Sequence, residues 1–114
     1  MDFTTKAQDA LGAAIRQAAA DGHSEVTAAH LLHALLAQGE GIAVALLDTV
    51  GVNRAALDAD VRRTLSALPS ATGSAMGQPG LSRPMHAVLQ SAQEVATQRG
   101  DDYVSTEHLL IGIA

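Results

Sequence analysis

The stretches VTAAHLL, residues 26–32, and VSTEHLL, residues 104–110, decide the fold of this chain. In each stretch a hydroxyl residue stands three positions before a histidine, and two leucines follow the histidine. This is the spacing of a capping box at the start of a helix, with histidine where Glu or Gln usually stands. The sequence therefore predicts one helix that begins after Thr27 and another that begins after Ser105. In each, the ring of the histidine (His30 or His108) should reach back toward the cap.

These two stretches belong to a longer internal repeat. Residues 3–36 align with residues 81–114 without a gap, at a constant offset of 78. Identical residues at positions that cap, turn and pack are Leu11/Leu89, Gly22/Gly100, Val26/Val104, His30/His108, Leu31/Leu109 and Leu32/Leu110. Each copy is a helix, a glycine turn, a short extended segment and a second capped helix. Two copies of one supersecondary unit predict an all-α, pseudo-twofold helical bundle.

Apolar residues at spacings of three and four predict six helices, and no segment shows the alternation of a strand. The helices are expected at about 4–20, 27–39, 41–51, 53–69, 82–100 and from 105 onward. Residues 69–80 are rich in Pro, Gly and Ser and are predicted to be a flexible linker, the most mobile internal segment. We thus expect one domain, 1–114, with repeat one at 3–68 and repeat two at 81–114. The second copy is shorter than the first and is expected to be incomplete.

Composition excludes several classes of function. The chain has 114 residues, a net charge of -5, 47% apolar residues and no cysteine. Seven basic residues against twelve acidic ones do not make a phosphate-binding surface, so we predict no nucleic-acid binding. No apolar run reaches membrane-spanning length and the N-terminus does not resemble a signal peptide, so a cytoplasmic protein is expected. Without cysteine there are no disulfides and no thiolate metal sites.

The sequence motifs give little support for catalysis or for metal binding. There is no G-x-S-x-G sequence and no phosphate-binding loop, so we predict no active site and no cofactor. His30 and His33 are three residues apart, but zinc requires three or four ligands, which favours helix capping or core packing for them. His23 and His86 are isolated and are expected on the surface. A small hydrolase that uses Ser and His is the alternative from another class.

A resemblance to a known family covers nearly the whole chain. The segments FTTKAQDALGAAIRQA (3–18), VTAAHLL (26–32) and GIAVALLDTVGVN (41–53) resemble the first Clp repeat, and residues 81–114 resemble the second. The resemblance implies the N-terminal substrate-recognition domain of a Clp-type AAA+ chaperone, tethered to a hexameric ring and without ATPase activity of its own. Leu68-Pro69 and GDDYVSTEHLL (100–110) look closest to the ClpB disaggregases. The alternative is an adaptor-docking domain of the ClpC or ClpA unfoldases, which serve a protease.

The repeat and the resemblance together suggest a binding groove. The first helices of the two copies would be symmetry mates, and the seam between the copies is a natural shallow groove. The bland alternative is that the same apolar stripes are only core. The resemblance implies that this groove binds unfolded or aggregated polypeptide through a set of five residues. The set is Thr4, Leu11, Leu89, Asp101 and Glu107. Some relatives carry an apolar residue where this chain has His108, so an apolar contact is not expected there.

Overall fold

The computed structural model describes residues 2–38, 41–70 and 79–113. Six α-helices account for most of these residues and confirm the predicted all-helical fold. Their bounds are Thr5–Ala20 (α1), Ala28–Ala37 (α2), Ile42–Thr49 (α3), Arg54–Ser66 (α4), Arg83–Gln98 (α5) and Thr106–Ile113 (α6). The helices begin where the sequence predicts because their starts are marked by capping residues.

Polar side chains cap the starts of the three longest helices. The hydroxyl of Thr4 accepts a hydrogen bond from the N–H of Ala7 at 3.2 Å, and the Ser82 hydroxyl accepts from Met85 N–H at 3.1 Å. At the start of α4, Asn53 Oδ1 accepts from the N–H of residue 56 at 3.1 Å. Each cap satisfies a backbone donor that has no partner within its own helix.

The prediction that the chain contains no strands is wrong. Among the residues that the structure describes, four two-residue strands lie just ahead of helices: Asp2–Phe3 (β1), Glu25–Val26 (β2), Gly80–Leu81 (β3) and Tyr103–Val104 (β4). Two residues are too few to show an alternating pattern, and the partner of each strand is remote in sequence. The last residue of the predicted 69–80 linker, Gly80, is therefore part of a strand.

The strands form two parallel ladders that are equivalent under the internal repeat. Strand β1 pairs with β4, with Phe3 opposite Val104, and β2 pairs with β3, with Val26 opposite Leu81. By the offset of the repeat, β3 is the copy of β1 and β4 is the copy of β2. Each ladder therefore takes one strand from each copy, so the copies are joined crosswise. The rotation that superposes residues 3–36 on 81–114 and the exact limits of the repeats stay predictions.

The first helix of each copy is followed by one glycine, and the two glycines have the same backbone conformation. Gly22 and Gly100 have φ angles of 72° and 74°, a left-handed conformation that side chains disfavour. After each glycine the next N–H donates to a carbonyl five residues earlier, His23 to Ala18 and Asp101 to Ala96, both at 2.9 Å. This is a Schellman motif, and it turns the chain from the helix into the following strand.

The core is built mainly from small side chains, which agrees with an aromatic content of only 2%. Helix α1 packs closely against α2, and α5 packs closely against α6. At the second contact, Gly112 lies so near α5 that a Cβ atom on it would meet the carbonyl oxygen of Val88 at 2.6 Å. The buried residues of this cluster are Ala7, Ala10, Ala14, Ala18, Val26, Leu31, Ala34, Leu35, Ala43, Met85, Val88, Ala92, Ala96, Val104 and Leu109.

Residues 71–78, most of the predicted linker, lie outside the described residues, and so do residues 39 and 40. Within the described start of this predicted linker, the Ser70 hydroxyl donates to the carbonyl oxygen of Asp21 at 2.6 Å. Among the described helices none is both long and apolar enough to cross a membrane alone, and only the pair α2 and α3, bent by 92°, reaches that length together.

Candidate functional site

The β1–β4 ladder places Thr4 beside the segment that carries two other predicted site residues, Asp101 and Glu107. The backbone N–H of Thr4 donates to the carbonyl oxygen of Val104 at 2.9 Å, which places the start of α1 beside strand β4. Asp101 stands three residues before Val104, and Glu107 stands three residues after it. Thr4 therefore neighbours the segment that carries both acids, although it is far from that segment in sequence.

The carboxylate of Asp101 holds the ring of His108 in place. The N–H of Ser105 donates to His108 Nδ1 at 2.9 Å, so this nitrogen carries no hydrogen. The other ring nitrogen, Nε2, is then protonated and donates to Asp101 Oδ2 at 2.7 Å. The predicted back-bonding of His108 to its cap is confirmed, and Asp101 has a structural task besides any role in binding.

Ser105, His108 and Asp101 superficially resemble a hydrolase triad. The Ser105 hydroxyl lies 3.1 Å from His108 Nδ1, but the same nitrogen already accepts the backbone N–H of Ser105. His108 is also only 1% exposed, so its ring cannot meet a substrate from solvent. The first repeat has the same arrangement, in which Thr27 N–H donates to His30 Nδ1 at 2.9 Å. These residues therefore form the same kind of helix cap in both repeats.

Leu11 and Leu89 occupy equivalent places on α1 and α5. Both are half-buried and pack against the core from its surface. Leu11 follows its cap Thr4 by two turns of helix, and Leu89 follows Ser82 in the same way. The groove between α1 and α5 stays a prediction, because half-burial fits both a groove wall and the edge of a core.

A second surface, missed by the sequence analysis, is an apolar cleft of about 540 Å³ between α3 and α6. We call it the α3–α6 cleft. Of the five predicted site residues, only Glu107 lines it. Its full lining is Leu32, Ile42, Leu46, Leu47, Val50, Leu57, Arg99, Glu107, Leu110, Ile111 and Ile113.

The α3–α6 cleft could have been found from the composition of α3. The helix buries Ala43 and Val44, yet it also carries exposed apolar side chains: Ile42 is 55% exposed and Leu46 is 38% exposed. A helix that is apolar on all sides normally lies inside a protein or against a partner. From the sequence alone, an apolar stripe of this kind is most simply interpreted as core.

Glu107 is the acidic residue in the lining of the α3–α6 cleft. It lies in the first turn of α6, where the positive end of the helix dipole favours a carboxylate. Its Oε2 atom is buried, and within the part of the chain that the structure describes it has no hydrogen-bond partner. A ligand that brings a donor to this atom would satisfy it.

The prediction that His23 lies on the surface is wrong. His23 is 5% exposed, and its Nδ1 lies 2.8 Å from Nε2 of the fully buried His30. The Schellman turn after α1 directs the chain back over the start of α2, and a sequence pattern does not show this direction. Burial, and then the neighbouring His23, lowers the pKa of His30 below its ordinary value. His86 is exposed, as predicted.

The pair His30 and His33 does not converge on one point. His30 faces its cap and His23, whereas His33 Nδ1 lies 3.9 Å from Asp58 Oδ1 of α4. Among the residues with described positions, no three His, Asp or Glu side chains come together in a way that would hold a metal ion.

Comparison with known proteins agrees with this architecture. The Clp repeat N-terminal domain family matches residues 2–114. The chain is 50% identical to the chaperone protein ClpB of Mycobacterium tuberculosis over 97% of its length, which is 13% of that protein. The N-terminal domain of the ClpV1 ATPase from E. coli EAEC is 27% identical, with a TM-score of 0.87 over 97% of this chain and 66% of that one.

A more distant structure confirms the fold alone. The Hsp104 N-terminal domain from Candida albicans superposes with a TM-score of 0.87 at 23% identity, over 99% of this chain and 73% of that one. The chain therefore belongs to the Clp repeat N-terminal domain family. Within the family it corresponds to the N-terminal domain of ClpB-type chaperones and spans about an eighth of their length.

Proposed function

We propose that this domain binds exposed apolar segments of unfolded or aggregated proteins and delivers them to the AAA+ ring of a ClpB-type disaggregase. The observation that carries the proposal is the meeting of apolar surface and an unsatisfied acid. The α3–α6 cleft is lined mostly by Leu, Ile and Val, and its one acidic lining residue, Glu107, has a buried Oε2 atom without a hydrogen-bond partner among the described residues. An extended polypeptide offers what this arrangement needs, because it carries apolar side chains and N–H donors together.

The negative charge of the domain indicates which apolar polypeptide segments should bind best. The chain carries a net charge of -5, and Glu107 contributes a carboxylate next to apolar side chains. Apolar segments flanked by Lys or Arg should therefore bind better than those flanked by acids. Affinity should be weak, with a Kd of about 10 µM to 1 mM, because ordering a flexible chain offsets much of the gain from burial.

The groove between α1 and α5 is the second surface proposed for the same function. It would use Thr4, Leu11, Leu89 and Asp101, and Glu107 belongs to both surfaces. The two surfaces are separable by mutation, since Leu11 and Leu89 are absent from the lining of the α3–α6 cleft.

Two double variants test the proposal. One is Ile42→Ser with Leu46→Ser in the α3–α6 cleft, and the other is Leu11→Ser with Leu89→Ser in the α1–α5 groove. Val52→Ser is the matched control, because Val52 is 36% exposed and does not line the α3–α6 cleft. Binding of a permanently unfolded, fluorescently labelled polypeptide is measured by anisotropy, and folding is checked by circular dichroism.

Whichever of the two surfaces binds polypeptide, we expect its double variant to weaken the affinity for the unfolded polypeptide at least about fivefold. This corresponds to roughly 1 kcal/mol. The control should bind like the parent chain. If both double variants stay folded and bind as well as the control, neither surface recognises polypeptide. If Leu11→Ser with Leu89→Ser unfolds the domain, these leucines are core residues. Glu107→Gln should then decide whether the acid selects basic segments, because it keeps the size and removes the charge.

A further inference from the structure

The hydrogen bonds around His23 and His30 determine which ring nitrogens carry a hydrogen. His30 Nδ1 accepts the N–H of Thr27 at 2.9 Å, so His30 carries its hydrogen on Nε2. That hydrogen is donated to Nδ1 of His23 at 2.8 Å. His23 must then carry its own hydrogen on Nε2. Both rings are neutral in this arrangement, and they meet edge to face with their centroids 5.0 Å apart.

No further proton fits the pair without loss of a hydrogen bond. A proton on His30 Nδ1 could be donated to the Thr27 hydroxyl, 2.9 Å away, but it would break the bond from the N–H of Thr27. A proton on His23 Nδ1 would face the N–H of His30. Water cannot easily stabilise the charge, because His30 is fully buried and His23 is 5% exposed. Protonation therefore breaks either the backbone cap bond of Thr27 at the first turn of α2 or the hydrogen bond between the two rings.

The second repeat has the same cap but a different partner at the equivalent position. The residue offset by 78 from His23 is Asp101, whose carboxylate accepts from His108 Nε2 at 2.7 Å. A carboxylate can balance a positive charge on the imidazole, whereas a second imidazole cannot. The two repeats thus differ at one position in how they would respond to acid.

The other charges near His30 do not replace the missing carboxylate. Asp21, at the end of α1, favours a charged His30, but its influence is smaller than that of burial and of His23, which oppose the charge. His33, on α2 itself, also opposes it. The only other ionisable group in this chain of contacts among the described residues is Asp58 of α4, 3.9 Å from His33.

We propose that the His23–His30 pair is an acid-sensitive latch, which holds the first turn of α2 closed at neutral pH and opens it in repeat one when the pH falls. The latch lies next to the seam between the repeats. Thr27 directly follows β2, and β2 pairs with β3 of the second copy. Acid would therefore loosen the contact between the copies from the side of repeat one, while the His108–Asp101 side keeps its bond.

The direction of the pH effect follows from linkage. The pKa of His30 in the folded chain lies below its ordinary value of 6.5. As the pH falls below about 6.5, the unfolded chain takes up a proton that the folded chain does not, so stability is lost from that point downward. The loss ends near the lowered pKa of the folded state. One such proton raises the unfolding constant by up to about tenfold per pH unit.

The decisive experiment exchanges the partners of the two repeats. The variant His23→Asp gives repeat one the carboxylate of repeat two, and Asp101→His gives repeat two the histidine of repeat one. Urea unfolding of both variants and the parent chain is measured between pH 7 and pH 5. We expect His23→Asp to reduce the rise of the unfolding constant over this range by about tenfold, and Asp101→His to increase it.

A local readout keeps the test valid if a variant folds poorly. Amide exchange of Thr27 relative to Ser105 should accelerate in the parent chain between pH 7 and pH 5, after correction for the intrinsic pH dependence. In His30→Gln the difference should disappear, since Gln can back-bond the cap but does not titrate. Equal pH slopes for the parent chain and His23→Asp, or Thr27 exchange that follows Ser105 at every pH, would overturn the proposal.

Discussion

The backbone N–H of Ser82 donates to the carbonyl oxygen of Val26 at 3.0 Å, which fastens the start of α5 to strand β2 of the other copy. Thr4 makes the equivalent bond to Val104 at 2.9 Å. Both residues also cap their own helices through the side-chain oxygen. The two positions are therefore structural equals, and only Thr4 belongs to the predicted binding groove.

This equivalence allows the roles of Thr4 in folding and in recognition to be separated. Thr4→Ala and Ser82→Ala each remove one cap and should each lower the free energy of unfolding by about 0.5–2 kcal/mol. Urea titration measures the stability, and anisotropy with an unfolded polypeptide measures the affinity. Only Thr4→Ala should also weaken binding. Equal binding by both variants would remove Thr4 from the recognition surface.

The α5–α6 contact should be intolerant of a single added methyl group. In Gly112→Ala the Cβ atom would meet the carbonyl oxygen of Val88 at 2.6 Å, and a backbone atom cannot move aside without cost. We expect a loss of about 1–3 kcal/mol in the free energy of unfolding. Gly80→Ala is the control, since a Cβ atom there meets nothing within 4 Å. Similar stability of the two variants would show that α6 lies farther from α5.

The turn after α5 depends on the left-handed conformation of Gly100. Its φ angle of 74° should make Gly100→Ala less stable by about 1–2 kcal/mol, although its Cβ would meet no atom within 4 Å. Gly100→Asn should lose less, because asparagine tolerates this region of φ and ψ. Thermal unfolding of the parent chain and the two variants checks that stability falls in the order Gly, Asn, Ala at position 100. Full stability of Gly100→Ala would contradict the turn geometry.

Asp101 should matter for stability as well as for recognition. Asp101→Ala leaves the Nε2–H of the buried His108 without its acceptor and should cost about 1–3 kcal/mol. Asp101→Asn keeps an acceptor oxygen and should retain most of the stability. If Asn also restores binding of unfolded polypeptide, Asp101 acts by positioning His108. If Asn is stable and does not bind, the charge itself takes part in recognition.

Much of the fold could be predicted because its signals are local. The caps Thr4, Ser82 and Asn53 each lie three residues from the backbone N–H that they bind, and the repeat places His30 and His108 in the same role. The four strands could not be predicted, since each is two residues long and its partner lies in the other copy. His23 was misplaced for a related reason: its burial depends on the direction of the chain after Gly22.

The candidate site was less predictable than the fold. An apolar stripe has the same sequence pattern whether it faces a core or solvent, so the exposure of Ile42 and Val50 required coordinates. Asp101 and Glu107 were expected to act together, yet Asp101 holds His108 whereas Glu107 lines the α3–α6 cleft. The sequence shows the two acids close together but not the directions of their side chains.

The crosswise pairing of the strands also sets an order of events during synthesis. Strand β1 leaves the ribosome first, but its partner β4 is translated only after the whole of repeat one and α5. Strand β1 therefore stays unpaired while most of the domain is synthesised. Since β2 needs β3 in the same way, neither half can complete its own backbone pairing alone. The nascent first repeat should thus stay accessible to chaperones until the second repeat emerges.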